Sequence, residues 1–200
     1  MQRTLRLLLP AVLLMGAGTL QKTFAQALPT SSAQFRLSAF GGVTGVKTGY
    51  LDGKNLGVSA GVNFNFWEYH KVHFAAEYRG TLPLDKGNHD SQKVQLIGLQ
   101  ASFPVGRFHP YGDFFFGRGE ISYAPPGAEV PNTYIIYTRS SSNVLAPGGG
   151  VDIDLTPHLA FKADIQLERY SAPVTTSGKL NATSGTLGFI YHFHFKPFKQ

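Results

Sequence analysis

The chain has 200 residues, no cysteine and a formal net charge of +6, and this length suits one domain with or without a processed segment. The absence of cysteine excludes disulfide bonds, thiolate chemistry and cysteine-ligated metal. The first 27 residues hold Arg3, Arg6 and Lys22 but no acid, so the remainder has fifteen basic residues against twelve acidic ones. This small and dispersed excess argues against a nucleic-acid partner.

The N-terminal segment, residues 1–25, predicts a secretory signal peptide exported by a Sec-type route. Residues 1–6 are basic, residues 7–20 are almost wholly apolar, and an A-x-A-like site follows. A membrane-spanning helix needs ~20 apolar residues, whereas this run is shorter and contains Pro10, Gly16 and Gly18. We therefore expect cleavage after Ala25 or Ala27.

The remaining sequence alternates between apolar and polar residues with a period of two, which is the pattern of half-buried β-strands. In the clearest example, 55–67, Leu56 and Val58 begin an apolar face, and Gly57 and Ser59 begin a small and polar one. The pattern predicts eight strands, at 34–42, 55–67, 72–82, 92–103, 111–123, 147–155, 159–170 and 186–195.

The fifth predicted strand, 111–123, contains a conflict. Its residue Asp113 shares one face with Tyr111 and Phe115. If the two aromatic rings face lipid, the carboxylate must face it too. A β-bulge, or a position at the membrane boundary, would resolve the conflict.

The connections between the predicted strands alternate in length. Three are tight turns, at 68–71, 104–109 and 156–158, and four are longer and polar, at 43–54, 83–91, 124–142 and 171–180. Outer-membrane barrels have short periplasmic turns and long external loops. The sequence therefore predicts an all-β fold, an eight-stranded antiparallel up-and-down transmembrane β-barrel over residues 34–195. Both termini would be periplasmic, and residues 196–200 would form a short basic tail.

A soluble β-sandwich is the alternative fold, since its strands alternate in the same way. Sandwich strands average ~5–6 residues, whereas a tilted membrane-spanning strand needs ~9–11, and the segments here are of the longer kind. Aromatic residues also collect near the predicted strand ends, as an interfacial girdle requires. They are Phe35, Trp67, Tyr111, Phe193 and Phe195 towards the turns, and Tyr78, Tyr123 and Tyr170 towards the loops.

Three motifs resemble the OmpA/OmpX-like outer-membrane β-barrel domain family. They are the glycine-rich strand and turn at 148–158, the Pro110-Tyr111-Gly112 start of the fifth strand, and the alternating aromatics of the last strand. The resemblance implies that the outer-membrane assembly machinery recognises the C-terminal strand by a terminal aromatic residue. Here residues 196–200 continue past Phe195. No peptidoglycan-binding domain follows, so an anchoring role is not implied.

The inward face of the predicted barrel carries both signs of charge. An eight-stranded barrel is just wide enough for its side chains to fill it, and charges in that space must pair or be hydrated. We expect an ion-pair network that plugs the lumen; the alternative is a narrow gated pore for ions or polar solutes. The predicted network consists of Arg36, Glu77, Arg79, Arg118, Glu120, Asp152, Asp154, Lys162, Asp164 and Glu168.

Catalysis and metal binding are two alternatives to a filled, inert lumen. A lipid A-modifying enzyme would need a nucleophile, a histidine base and an acid in contact, and the lipid-facing wall has no serine beside a histidine. A metal site could use His73, His192 and His194. The sequence places no carboxylate beside them, so we expect these histidines to be ordinary polar side chains of the lumen. We expect neither catalysis nor a metal or cofactor.

The long loops offer the other functional surface. The apolar run Tyr134–Tyr137 in the longest loop either extends two strands as a hairpin or forms an exposed adhesive patch. Basic residues at the outer rim could bind lipopolysaccharide phosphates: Lys47, Lys54, Lys86, Arg139 and Lys179. The sequence thus favours a monomeric, non-enzymatic outer-membrane protein, with outer-membrane lipid and lipopolysaccharide as partners, that supports membrane integrity or surface interaction through its loops.

Overall fold

The computed structural model describes residues 36–85, 89–131 and 133–193. The predicted signal peptide, the basic tail, and Phe35 and Phe195 of the predicted girdle lie outside these ranges. Within them, no helix is long and apolar enough to cross a membrane.

The described residues form ten strands, eight of them long. They are β1 Arg36–Thr48, β2 Lys54–Tyr69, β3 Val72–Pro83, β4 Asp90–Ser102, β5 Phe108–Tyr123, β6 Ala128–Glu129, β7 Ile136–Tyr137, β8 Arg139–Asp154, β9 Leu159–Ser171 and β10 Lys179–Phe193. The eight long strands close into one barrel, in which each strand is antiparallel to both neighbours and β10 pairs with β1. This confirms the predicted eight-stranded antiparallel barrel.

Tight turns and longer connections lie at opposite ends of the barrel, called here the turn end and the loop end. The eight long strands have 12 to 16 residues, so they are longer than predicted. In particular, β1 continues to Thr48 and leaves only 49–53 as a connection, where the sequence predicted a loop at 43–54. In the longest connection β6 and β7 form a separate two-stranded ribbon rather than a continuation of β5 and β8.

Alternation along each strand divides the residues between a lumen and an outer wall. In β2, Leu56, Val58 and Val62 face outward, while Asn55 and Ser59 are buried in the lumen. The same division in the other strands gives an outer wall rich in exposed Val, Leu, Ile and Phe side chains. Such a wall is stable only against lipid, because water would solvate it poorly.

The β-bulge that the sequence offers as one of two explanations for Asp113 does not form. β5 keeps one unbroken register with both β4 and β8, and Tyr111, Asp113 and Phe115 all point into the lumen. The register shift lies instead between β2 and β3, at Asn65/Trp67. The conflict at Asp113 disappears because the two aromatic rings on its face fill the lumen rather than contacting lipid.

Candidate functional site

The turn half of the lumen holds a cluster of five charged side chains, called here the ion-pair cluster: Glu77, Arg79, Asp152, Lys162 and Asp164. The guanidinium Nη2 of Arg79 lies 2.6 Å from Glu77 Oε1 and 2.8 Å from Asp164 Oδ2. The ammonium of Lys162 lies 3.7 Å from Asp152 Oδ1, 3.8 Å from Glu77 Oε2 and 4.0 Å from Asp164 Oδ2. Both cations thus contact Glu77 of β3 and Asp164 of β9, and Lys162 also contacts Asp152 of β8.

Aromatic rings surround the two cations of the ion-pair cluster. Arg79 lies over Phe115 at 4.5 Å from the ring centroid, and Lys162 lies over Tyr111 at 4.4 Å. Phe40 contacts both cations, at 5.4 and 5.0 Å. Since a desolvated cation–π contact is worth about 2 kcal/mol, the rings offset part of the cost of burying the charges.

Neutral side chains complete the turn half. Asn63 donates from Nδ2 to Glu77 Oε2 at 3.2 Å, and Gln166 donates from Nε2 to both oxygens of Asp113 at 3.0 Å. Tyr111 donates its hydroxyl to Asp164 Oδ2 at 3.3 Å. Asp113 was absent from the predicted network because its face was assigned to lipid. Gly117 and Gly119 share the face of Asp113, and these small residues could have indicated that the face is lumenal rather than lipid-facing.

The loop half of the lumen is filled mainly by apolar side chains, called here the apolar cluster. Glu168 is a carboxylate buried among them. It accepts hydrogen bonds from Gln92 Nε2 at 3.0 Å, from Ser184 Oγ at 2.8 Å and from the Tyr170 hydroxyl. The cluster includes Val46, Val94, Leu96, Phe115, Ile121, Val144, Tyr170 and Leu180.

Loop residues close the lumen at the loop end. Ala128, Ala172 and Val174 pack on the apolar cluster from two connections. Tyr50, from the 49–53 turn, meets Tyr123 edge-on with ring centroids 5.2 Å apart. Burial, together with the nearby carboxylates of Asp90 and Glu129, raises the pKa of Tyr50.

Two predicted network residues do not lie in the lumen. Arg118 and Glu120 are on the outward face of β5, and Glu120 pairs with Arg139 at 3.3 Å outside the barrel. The cause is the parity of β5. Its inward residues are the odd-numbered ones, so residues 118 and 120 must point away from the lumen.

Three residues of the predicted aromatic girdle also lie on inward faces, two on β5 and one on β9. Tyr111, Tyr123 and Tyr170 are buried in the lumen, and two of them use their hydroxyls on lumenal carboxylates. Trp67 and Phe193 face outward near the turn end, whereas Tyr78 faces outward from the middle of β3. A girdle at the loop end is therefore not formed by the predicted tyrosines.

The remaining predicted network residues lie near the turn end. Arg36 is exposed at the start of β1, and Asp154 is half-buried and pairs with His109 at 2.8 Å. His73 pairs with Glu68 at 3.3 Å. Throughout the described part of the chain, no group of three or more His, Cys, Asp and Glu side chains is placed to hold a metal ion.

Basic side chains mark the outer wall at the loop end. They are exposed, they point away from the lumen, and they lie above the apolar residues of the same strands. Lys93 and Arg169, on β4 and β9, belong to this set but were not singled out by the sequence. The set also includes Lys47, Lys54, Arg118, Arg139 and Lys179.

The chain is similar to known outer-membrane β-barrel proteins in sequence and in structure. The family model described as outer membrane protein beta-barrel domain matches residues 10–193. The chain is similar in structure to Neisserial surface protein A, with a TM-score of 0.52 and 18% identity over 81% of this chain and 97% of that one. It is also similar to Ail, the attachment invasion locus protein of Yersinia pestis, in complex with the heparin analogue sucrose octasulfate. That TM-score is 0.51, with 16% identity over 80% of this chain and 99% of Ail. No curated protein matches the sequence.

Proposed function

The chain belongs to the outer membrane protein β-barrel domain family, and from this premise we propose that it is a monomeric, non-enzymatic barrel that acts through its external loops. Its lumen is sealed, so it contributes to the outer membrane as a barrier and presents the loops for surface contact. Its partners are outer-membrane lipid and lipopolysaccharide. The assembly machinery reads its C-terminal strand, where Phe189, Tyr191 and Phe193 alternate on the outward face.

The observation that carries the proposal is the filled lumen. A water-filled channel would leave its lining side chains exposed. Here Leu96, Phe115 and Lys162 have 0 to 1% of their surface exposed. Ion pairs fill one half and apolar side chains the other, and both halves argue against the alternative of a gated pore.

The proposed orientation places the loop end outside the cell and both termini in the periplasm. The unequal connections and the basic residues at the loop end support it, because external loops are the longer ones and the outer leaflet carries phosphates. The chain has no cysteine, so single cysteines can report the topology. Ser177→Cys, at the loop end, should react with a membrane-impermeant maleimide in intact cells. Thr156→Cys, at the turn end, should react only after the outer membrane is opened, and the reverse labelling would contradict the orientation.

Exposed apolar residues at the tip of the longest loop support a role in surface contact. Tyr134 is fully exposed, and Ile135 and Ile136 are half exposed. These residues lie at the turn of the ribbon, in which Glu129 pairs with Ile136. Such residues are the ones that an adhesive surface would use.

The test compares cells that display the wild-type protein with cells that display Tyr134→Ser/Ile135→Ser. The double variant should lower adherence to apolar surfaces and autoaggregation to the level of cells without the protein. Leu51→Ser removes an apolar side chain of another loop that is about as exposed as Ile135, and this control should adhere like wild type. Equal adherence of all three proteins, at equal outer-membrane levels and with normal heat-modifiable gel mobility, would contradict the loop function.

A further inference from the structure

Three buried side-chain oxygens in the loop half of the lumen accept no hydrogen bond from any described residue. They are Asp90 Oδ2, Asn55 Oδ1 and Gln92 Oε1. Asp90, Asn55 and Gln92 have 0, 7 and 1% of their surface exposed. Because a buried acceptor without a partner is costly and uncommon, each of these oxygens calls for one.

Hydrogen bonds made by the two amide nitrogens fix which amide atoms are the oxygens. Asn55 donates from Nδ2 to the backbone oxygen of Asp90 at 3.4 Å, and Gln92 donates from Nε2 to Glu168 Oε2 at 3.0 Å. Turning either amide over would place two acceptors against each other. The three unpartnered atoms are therefore all acceptors. They cannot satisfy one another, so the partner must be a donor or a cation.

Asp90 is the centre of this group of side chains. Asp90 and Gln92 are two residues apart on β4 and share its inward face, and the Asn55 amide contacts the Asp90 backbone. Thr48 donates its hydroxyl to Asp90 Oδ1 at 2.9 Å, and a Cβ atom at Gly53 would clash with that oxygen. Residues of β1, β2 and β4, and of the turn between β1 and β2, thus meet at one carboxylate.

The charge of Asp90 has no buried counterpart in the loop half. Among the described residues, the buried cations are Arg79 and Lys162, and both belong to the ion-pair cluster of the turn half. Glu168 adds a second buried carboxylate to the loop half, and the side chain of His89 is exposed. A water molecule would satisfy the acceptors but not the charge, and an unpaired buried charge is costly. A bound cation would satisfy both.

We propose that Asp90, Asn55 and Gln92 form a calcium site at the loop end of the lumen. Carboxylate and amide oxygens are the ligands that Ca²⁺ takes in proteins, and it accepts an irregular set completed by water, whereas Mg²⁺ demands near-ideal octahedral geometry. One carboxylate among neutral oxygens gives a weak site, with a dissociation constant on the order of 10⁻⁴–10⁻³ M.

The proposal departs from the sequence expectation of no metal. A site with one carboxylate and two amides has no cluster of His, Cys, Asp and Glu to reveal it. The bound ion would tie the turn between β1 and β2 to the start of β4. It would therefore stabilise the seal at the loop end, because a ligand that binds only the folded state stabilises that state.

Two variants change the number of carboxylates at the site in opposite directions. Asp90→Asn removes the carboxylate and should weaken Ca²⁺ binding roughly tenfold or more. Asn55→Asp adds a second carboxylate and should tighten binding by about tenfold, because ligand charge sets the affinity of calcium sites. A gain of affinity cannot arise from misfolding, so Asn55→Asp keeps the proposal testable if Asp90→Asn folds poorly.

Binding is measured on the folded, heat-modifiable barrel in detergent micelles after treatment with a chelator. Isothermal titration with Ca²⁺ gives the affinity, and Mg²⁺ should bind at least about tenfold more weakly. Luminescence of Tb³⁺ reports the position, because Tyr123 is the direct cross-strand partner of Asp90 and can transfer its excitation to a bound ion. Ca²⁺ should displace the Tb³⁺ signal in wild type, and Asp90→Asn should show little signal.

The matched control is Asp52→Asn, which removes an exposed carboxylate from the turn between β1 and β2. It should bind Ca²⁺ like wild type. Absence of saturable binding to wild type at millimolar Ca²⁺, unchanged binding by both Asp90→Asn and Asn55→Asp, or loss of binding in Asp52→Asn would overturn the calcium site. The measurement uses the isolated barrel, so such a result would leave the proposed orientation and loop function untouched.

Discussion

The two halves of the lumen solve the same packing problem with opposite chemistry. The turn half buries two cations among carboxylates and aromatic rings, whereas the loop half buries aliphatic and aromatic side chains around the hydrogen-bonded Glu168. Removing one partner from a buried ion pair leaves an uncompensated charge, whereas trimming an apolar side chain leaves a cavity. The two halves should therefore respond differently to substitution, although both seal the barrel.

The largest effect is expected in the turn half. Arg79→Ala leaves Glu77 and Asp164 without their guanidinium partner and should lower the free energy of unfolding by about 3–5 kcal/mol. Urea unfolding followed by heat-modifiable gel mobility measures this. Arg118→Ala is the matched control because its side chain points outward, and it should change stability by roughly 0.5 kcal/mol or less. Equal losses in the two variants would refute the assignment of these arginines to opposite sides of the wall.

A somewhat smaller effect is expected in the loop half. Leu96→Ala removes a fully buried side chain and should cost about 2–4 kcal/mol, set by the cavity that remains. Unlike the loss caused by Arg79→Ala, this loss should be insensitive to pH and salt in the same unfolding experiment. A strong pH dependence would mean that the loop half also depends on ion pairs.

The third effect on the free energy of unfolding concerns the buried carboxylate of Glu168 in the loop half. Tyr170→Phe removes one of the three donors to Glu168 while keeping the ring, and it should cost about 1.5–3 kcal/mol, as hydrogen bonds to charged groups do. Arg169→Gln, on the neighbouring outward position, is the control and should leave stability nearly unchanged. If Tyr170→Phe were as stable as wild type, the hydrogen bonds to Glu168 would not stabilise the buried carboxylate in the way that a cation does in the turn half.

The smallest effect lies outside the lumen altogether. Arg139→Gln breaks the exposed pair with Glu120 and should cost no more than about 0.5 kcal/mol. If Arg139→Gln lowered the free energy of unfolding as much as Arg79→Ala, ion pairs at the rim would stabilise the barrel as much as those in the lumen, which would contradict this prediction. The same unfolding assay, repeated at high salt, should reduce the rim effect further.

Strand alternation was sufficient to predict the barrel, because most strands place aliphatic residues on one face only. β2 and β9 show this clearly, and their inward residues follow the predicted parity. The inward face of β5 could not be assigned from the pattern, because Phe114, Phe115 and Phe116 place aromatic rings on both faces. Tyrosine added to the difficulty, since its ring fills a lumen while its hydroxyl bonds a carboxylate, as Tyr111 does with Asp164.

The partners within the lumen could not be predicted from the sequence. Parity places Arg79 and Asp164 on inward faces, but their contact joins β3 to β9 across the lumen. That contact depends on the stagger of all the strands between them, which no local pattern encodes.

Single-channel recording in planar lipid bilayers tests most directly whether the lumen is sealed. The purified, heat-modifiable wild-type barrel should insert without producing conductance steps, because ion pairs and apolar side chains fill both halves. Gel mobility and recovery from the bilayer would verify insertion. Reproducible steps from wild type that change when Glu77→Gln or Leu96→Ala is introduced would contradict the account, because current would then pass through the lumen described as closed.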